Sequence, residues 1–500
     1  MKTKNQRKLE TLIPEVVTLN EFLVGLVVLG LKDDSRCVTQ GDLFFAIKGL
    51  TVDGHEYAKR AADAGAVAVV SSCTLDVGVP CIVVSDPVRA LGFAASRFNG
   101  EPSKHLALIG ITGTNGKTTT SYVVESILTC AGRSPGVIGT VSYRFGGHER
   151  TAPFTTPTPI LLQDILGQMT EAKCRSVVLE ASSHALQLGR VWGCEFSVAA
   201  FTQLTQDHLD LHGDLDSYLK AKLLLFEKHL RSGGTAVVNL DGNGAKEVVD
   251  VVEKRGDLKL ISCSVEDKKA KIRLKGASFS LDGLKATLET DREQIQVQSP
   301  LVGAFNAENI LLAAGCSRAV GTSWEHIKTG IASLRHVPGR LERVGRESNK
   351  VVFVDFAHTP DAIQRVLDVL RPFCHSRLIL VFGCGGDRDQ SKRPLMGKAA
   401  VQGADLVIVT SDNPRSEDPR AIINQILSGI KMPKLTNLSA ERGVWVEQDR
   451  AKAIHAAVGV AREGDVVLIA GKGHEAYQES EGKRVQFDDR EQVRKALKIC

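Results

Sequence analysis

Short runs of β-branched and aliphatic residues alternate along the chain with longer amphipathic stretches. That rhythm predicts α/β layers built on largely parallel sheets. In the first block it predicts strands at 42–48, 66–70 and 81–84 and an alanine-rich helix at 57–65. An apolar run at 22–31 reads as a buried helix or strand; it is too short to cross a bilayer. Glu15 and Glu21 precede it and no small-residue cleavage site follows, so a secretory leader is not expected and the chain is placed in the cytoplasm, off the membrane. Asn99-Gly100-Glu101-Pro102-Ser103 has turn chemistry and reads as a linker. A second block carries strands at 106–112, 176–179, 198–201 and 236–239, and its 258–298 stretch alternates like antiparallel strands of an inserted or edge sheet. His336-Val337-Pro338-Gly339 then breaks the pattern.

The third block has four very apolar strands, at 351–354, 378–382, 406–409 and 466–470. Each runs straight into polar residues: Asp355, Gly383-Cys384-Gly385-Gly386-Asp387, Thr410-Ser411-Asp412 and Gly471-Lys472-Gly473-His474. In open α/β sheets ligands sit beyond the carboxyl ends of the strands, so a site is expected here, although any single loop could be an ordinary turn. Three domains are expected, at 1–104, 105–335 and 336–500, which suits a chain of 500 residues.

Composition changes this picture little. Hydrophobic residues make up 43% and charged residues 24%, an ordinary globular balance. The net charge of +5 is spread along the chain and gives no reason to expect a nucleic-acid partner. Eleven cysteines include no CxxC pair, which favours reduced thiols over a disulfide framework or a zinc site.

Candidate chemistry begins at Gly110-Ile111-Thr112-Gly113-Thr114-Asn115-Gly116-Lys117-Thr118-Thr119, between a strand and a helix. Glycines let backbone N–H groups approach phosphate oxygens, and a helix N-terminus favours anions. Lys117 would neutralise the β/γ-phosphates and Thr118 would ligate Mg²⁺. Strict spacing asks for glycine where Ile111 stands, so the loop is a variant. Glu180 ends a strand where a second metal ligand is expected; alone, it would more often be a surface or capping residue. By spacing, His208 reads as a satisfied polar histidine and Lys222 as a surface charge.

Taken in order, Gly113-Thr114-Asn115-Gly116-Lys117-Thr118-Thr119, Glu180-Ala181-Ser182-Ser183-His184, Asp207-His208, Gly303-Ala304-Phe305-Asn306-Ala307-Glu308-Asn309, Pro338-Gly339-Arg340 and Asp355-Phe356-Ala357-His358 resemble the Mur ligase family. Asp34-Ser35-Arg36 with Gly41-Asp42-Leu43-Phe44 resembles the uridine-binding domain of its E and F types. Asp412-Asn413-Pro414-Arg415 with Gly471-Lys472-Gly473-His474-Glu475 resembles the E type. The likeness runs from about residue 32 to the end.

This resemblance implies a small N-terminal α/β uridine-binding domain, a central P-loop-like ATPase with a parallel sheet and a C-terminal Rossmann-like domain. It implies an ATP-dependent amide ligase that adds meso-diaminopimelate to UDP-N-acetylmuramoyl-L-Ala-D-Glu, with Mg²⁺, as a cytoplasmic monomer. Residues 113–119 would hold the triphosphate. Thr118 and Glu180 would bind one Mg²⁺, and His208 with a carbamylated Lys222 a second; Lys220 is the weaker lysine candidate. Asn306 and Asn309 would lie near the adenine, and Arg340, Asp355 and His358 would reach ATP. Ser35, Thr155, Thr156, Ser182 and Arg190 would face the UDP-substrate. Asp412, Asn413, Pro414 and Arg415, with Arg388, Gly471 and Glu475, would read the incoming amino acid. Arg415 suits the extra carboxylate of diaminopimelate, and lysine-adding relatives lack it.

Two positions depart from the family pattern: Phe154 stands where asparagine is usual, and Leu188 where glutamine often is. Rival readings are a lysine-adding, D-alanyl-D-alanine-adding or folate ligase of the same fold, and a catalytically silent subunit of a plastid transcription complex, whose pattern Leu188-Gly189-Arg190 resembles. The absence of a Ser/Arg-rich transit segment and the presence of every ATP-site residue argue against the last.

Overall fold

The computed structural model describes residues 6–14, 23–49, 52–205, 207, 209–438 and 440–499. They divide into two compact units. The first holds the chain up to Lys275 with Thr287–Val297 and Glu308–Ser333; the second holds Gly276–Ala286, Gln298–Ala307 and the chain from Leu334 onward.

The first unit opens on a four-stranded parallel sheet in the order Gly30–Lys32, Asp42–Phe45, Ala68–Ser71, Cys81–Val83. Period-2 geometry sends Leu43 and Phe45 to one core and Phe44 to another, so the strand is buried on both faces. The strand expected at 42–48 stops at Phe45. The helix expected at 57–65 is a 3₁₀ turn, Gly54–Tyr57, followed by helix Ala58–Asp63. Phe22 lies outside the described residues. The rest of that apolar run is not a helix but two short strands, Val27–Val28 and Gly30–Lys32, because Gly25 turns the chain at φ 86°.

A larger sheet follows in the same unit, with strand Ala107–Thr112 between Ser176–Glu180 and Phe196–Phe201, all parallel. Leu108, Leu179, Phe196 and Phe201 are buried in its core, as expected of near-continuous apolar strands in a parallel sheet. Leu230–Asn239 and Lys259–Ser264 extend it, also in parallel. The antiparallel expectation for 258–298 therefore fails for its first strand. Helix Ala245–Arg255 separates these two strands, and a helical crossover returns the chain in the same direction.

The second unit is built on a six-stranded sheet, in the order Glu342–Val344, Val351–Asp355, Val466–Ala470, Leu378–Phe382, Leu406–Val409, Gly443–Val446. Its four central strands match the apolar runs in the sequence. Phe353, Leu380 and Leu468 face one core and Val352, Val381 and Ile469 the other. The edge strands Glu342–Val344 and Gly443–Val446, of three and four residues, are too short to read from the sequence. Two ion pairs are buried here, Arg450–Asp489 (2.7 Å) and Arg377–Asp465 (2.7 Å). Each arginine also donates to backbone carbonyls, as a charge removed from water requires. The ten described cysteines are unpaired. No described helix is long and apolar enough to cross a membrane.

In the first unit His229 is buried, with its ring 4.7 Å from that of Trp192. Burial, with help from Lys228, holds its pKa down at about 4. The unfolded chain takes up this proton at about pH 6.5, the folded chain only near pH 4, so stability is lost as pH falls through that window. The slope is at most about 1.4 kcal/mol per pH unit. His229→Phe should lose less stability than the parent between pH 7 and pH 4.5 in urea titrations followed by tryptophan fluorescence. Identical losses would contradict the assignment.

Candidate functional site

In the first unit the glycine-rich loop leaves strand Ala107–Thr112 and enters helix Lys117–Cys130. Gly113 (φ 137°) and Gly116 (φ 89°) take backbone conformations that side chains disfavour. A Cβ on Gly113 would collide with Thr202, and one on Gly116 with Asn309. The loop is stitched from outside: Thr202 Oγ1 donates to the Asn115 carbonyl (2.6 Å), Thr114 N to the Gln203 carbonyl (2.8 Å) and Thr205 N to Thr114 Oγ1 (2.9 Å). Lys117 Nζ folds back onto the Gly113 and Thr114 carbonyls at 2.8 and 2.9 Å. Its ammonium therefore stands at the mouth of the loop, next to the helix N-terminus.

Glu180 lies at the end of the neighbouring strand and is 1% exposed. Its carboxylate accepts from Thr118 Oγ1 (2.9 Å), Thr140 Oγ1 (2.8 Å) and Thr140 N (3.1 Å). Its own carbonyl accepts from Thr156 Oγ1 (2.7 Å), which in turn accepts from Ser182 N (3.1 Å). Arg190 donates to the Thr156 carbonyl (3.0 Å), and Thr155 meets Thr140 at 3.2 Å. The structure thus brings Thr118, Thr155, Thr156, Glu180, Ser182 and Arg190 into one group. Phe154 lies beneath the Arg190 guanidinium, 5.2 Å from ring centre to Cζ, and Leu188 caps helix Ser183–Gln187. Ser35 lies in the turn Ser35–Cys37 and shares no hydrogen bond with that group among the described residues.

Helix Leu215–Leu224, capped by Asp214, separates the two lysine candidates. Lys220 is exposed, whereas Lys222 is buried against the Tyr218 ring at 3.9 Å. Burial and nearby Lys117 push the Lys222 ammonium well below its ordinary range, against the pull of Asp207. His208 lies outside the described residues. Asn309 belongs to the loop group, with Thr120 Oγ1 3.4 Å from its Oδ1. Thr140 and Thr202 had no sequence signal, since single threonines outside a motif look like any others.

The second unit gathers the remaining candidates. Asn306 anchors its own turn, donating to the Val302 carbonyl (2.7 Å). Asp355 is buried and accepts from Leu341 N (2.6 Å) and Ala357 N (2.7 Å); burial raises its pKa despite Arg340. Arg340 stacks over Phe356 at 4.9 Å, and the His358 ring packs on Phe356 at 4.6 Å. Asp412, Asn413, Pro414 and Arg415 follow strand Leu406–Val409. Arg415 sits at φ 53° and donates to the Gly386 carbonyl (2.6 Å). Asn413 Nδ2 donates to Glu475 (2.9 Å), and a Cβ on Gly471 would press on Asp412. Arg388 is exposed and bonds the Asp387 carbonyl (3.1 Å). Among the described residues no cluster of three His, Cys, Asp or Glu side chains has metal-site geometry.

A strand–glycine loop–helix beside a buried strand-end carboxylate defines a phosphate-binding α/β protein. Comparison with known proteins narrows this. The Mur ligase family catalytic domain matches residues 28–98, the Mur ligase middle domain 111–317, and the Mur ligase glutamate ligase domain 339–473. The chain belongs to the Mur ligase family. It is 43% identical to the UDP-N-acetylmuramoyl-L-alanyl-D-glutamate--2,6-diaminopimelate ligase of Geobacillus thermodenitrificans, over 94% of this chain and 95% of that one. It is 44% identical to the protein of the same name from Solibacter usitatus, over 94% of each. A solved structure of a ligase of that name superposes with a TM-score of 0.69 at 35% identity, covering 94% of this chain and 95% of the other.

The loop geometry is directly testable. Gly113→Ala should cost about 1–3 kcal/mol from backbone strain alone, read as a lowered urea midpoint. An unchanged midpoint would contradict the conformation described.

Proposed function

We propose that the protein is an ATP-dependent, ADP-forming ligase that joins meso-diaminopimelate to the D-glutamyl carboxylate of UDP-N-acetylmuramoyl-L-Ala-D-Glu in peptidoglycan precursor synthesis. The observation that carries the reading is the Glu180 group. It joins a phosphate loop, through Thr118, to Thr155, Thr156, Ser182 and Arg190, so the triphosphate and the carboxylate to be activated would meet at one centre. The full-length likeness to ligases of this name supports it over a silent subunit or another ligase of the fold. The domains are taken as 1–104 for the UDP-substrate, 105–335 for ATP and 336–500 for the amino acid.

In the first step the substrate carboxylate would attack the γ-phosphorus of ATP, giving an acyl phosphate and ADP. The amine of the second substrate would then add to the acyl carbon. Collapse of the tetrahedral intermediate would expel phosphate and leave an amide. Lys117 would leave the loop carbonyls for the β/γ-phosphates and offset their charge, and the loop N–H groups would orient them. Arg190 and Ser182 would steer the peptide carboxylate, with Ser35 on the uridine side. Asn306, Asn309, Arg340, Asp355 and His358 would hold the nucleotide.

The hydroxyl of Thr118 and the carboxylate of Glu180 are hard oxygen donors 2.9 Å apart, a fit for Mg²⁺. His208 and Lys222 would complete a second site, and Lys222 suits it because burial favours its neutral amine, the form that takes up CO₂. When bound, Mg²⁺ would neutralise the charge that gathers on the transferred phosphoryl group.

In the second unit Arg415 would pair with the distal carboxylate of diaminopimelate and Asp412 and Glu475 with its distal ammonium, with Arg388, Pro414 and Gly471 alongside. Phosphate release from ATP with the UDP-dipeptide should therefore occur with meso-diaminopimelate and be far slower with L-lysine. Arg415→Ala should raise KM for diaminopimelate by about tenfold or more while leaving that for ATP unchanged. Release with lysine alone would overturn the specificity, and release with neither would overturn the function.

A further inference from the structure

Lys472 is 0% exposed, yet no carboxylate lies within ordinary hydrogen-bonding reach of its ammonium. Its Nζ donates to Asn413 Oδ1 at 2.9 Å, with Glu475 at 3.6 Å, Asp412 at 4.0 Å and the Tyr477 ring centre at 5.4 Å. Burial lowers its pKa, while Asp412 and Glu475 hold it up. Burying a lysine among partly matched partners is costly, and nothing in the mechanism above uses it.

The hydrogen bonds show what this lysine controls. An ammonium only donates, so the oxygen of the Asn413 amide must face Lys472, and its nitrogen then faces Glu475, to which it donates at 2.9 Å. Asn413 Oδ1 also accepts from Glu479 N (3.0 Å), and Gln478 Nε2 donates to the Asp412 carbonyl (2.8 Å). Arg415 is pinned by the same segment. Its N–H donates to the Glu479 carbonyl (3.0 Å), and its carbonyl accepts from Glu481 N (2.6 Å). Strand Tyr477–Ser480 and the following Glu481 are therefore bonded to Asp412, Asn413 and Arg415, and Asn413 Oδ1 takes hydrogen bonds from both this segment and Lys472.

We propose that Lys472 is a positioning residue: it fixes the Asn413 amide and, standing between Asp412 and Glu475, holds both carboxylates in the arrangement that receives the distal end of the incoming amino acid. The inference rests on the diaminopimelate reading of this loop. Without the ammonium, Glu475 keeps one amide donor and faces Asp412 with no charge between them. The distal end of the amino acid then loses its acceptor geometry, while the phosphate loop is untouched.

The test is steady-state phosphate release by the full chain, with ATP and UDP-N-acetylmuramoyl-L-Ala-D-Glu saturating and meso-diaminopimelate varied. Lys472→Met should raise KM for diaminopimelate by about tenfold or more, with KM for ATP unchanged within about twofold. Because Lys472 acts in part through Glu475, Lys472→Met combined with Glu475→Gln should raise KM by clearly less than the product of the two single effects. Should Lys472→Met fail to fold, Lys472→Gln, which keeps a donor for Asn413 without the charge, should show a smaller rise in the same KM. An unchanged KM for diaminopimelate with a uniformly lowered kcat would make Lys472 merely structural and overturn the inference. Fully multiplicative effects in the double variant would overturn it too. Loss of diaminopimelate-dependent release in the unsubstituted protein would instead sink the proposed function, so the two failures are distinguishable.

Discussion

A carboxylate taken out of water must be given donors, and Glu180 is where this protein meets that demand. Thr118, Thr140 and the Thr140 backbone satisfy it. The two threonines belong to different working parts. Thr118 opens the helix behind the phosphate loop, and Thr140 touches Thr155. On the backbone side, Thr156 ties the Glu180 carbonyl to Ser182 and Arg190. One buried acid thus sets the spacing between the phosphate loop and the neighbouring polar wall. Parallel sheet topology makes this possible, because strands Ala107–Thr112 and Ser176–Glu180 end side by side.

The second unit solves a similar problem with more charge. Arg450, Asp489, Asp412, Lys472 and Glu475 cluster beneath the ends of strands Leu406–Val409 and Val466–Ala470, where a hydrophobic core would otherwise continue. Such networks contribute little net stability, since desolvation offsets most of the attraction, but they hold polar loops in one geometry. That geometry includes Arg415, whose left-handed backbone is clamped by hydrogen bonds to Glu479 and Glu481.

Much of this was legible in the sequence because buried parallel strands leave long apolar runs. The four central strands of the second unit and the strand entering the phosphate loop were readable to within a residue. The phosphate loop carried its own signature in Gly113, Gly116 and Lys117. Short-range cues were weaker: Gly25 split an apolar run into two strands, and the edge strands Glu342–Val344 and Gly443–Val446 lack alternation. Helix Ala245–Arg255 reversed the expected direction of Lys259–Ser264. Long-range partners left no trace. Nothing local tells Lys222 from Lys220, yet one is buried and the other exposed, and Thr140 became a Glu180 partner only when the fold brought it there.

Phosphate and carboxylate must meet at one centre for this ligation, and oxygen transfer tests that most directly. UDP-N-acetylmuramoyl-L-Ala-D-Glu carrying ¹⁸O in the D-glutamyl side-chain carboxylate would be turned over with ATP and meso-diaminopimelate, and the released phosphate analysed by mass spectrometry. An acyl phosphate formed at the Glu180 group predicts one substrate-derived ¹⁸O in each phosphate. Unlabelled phosphate, released alongside amide product, would contradict it.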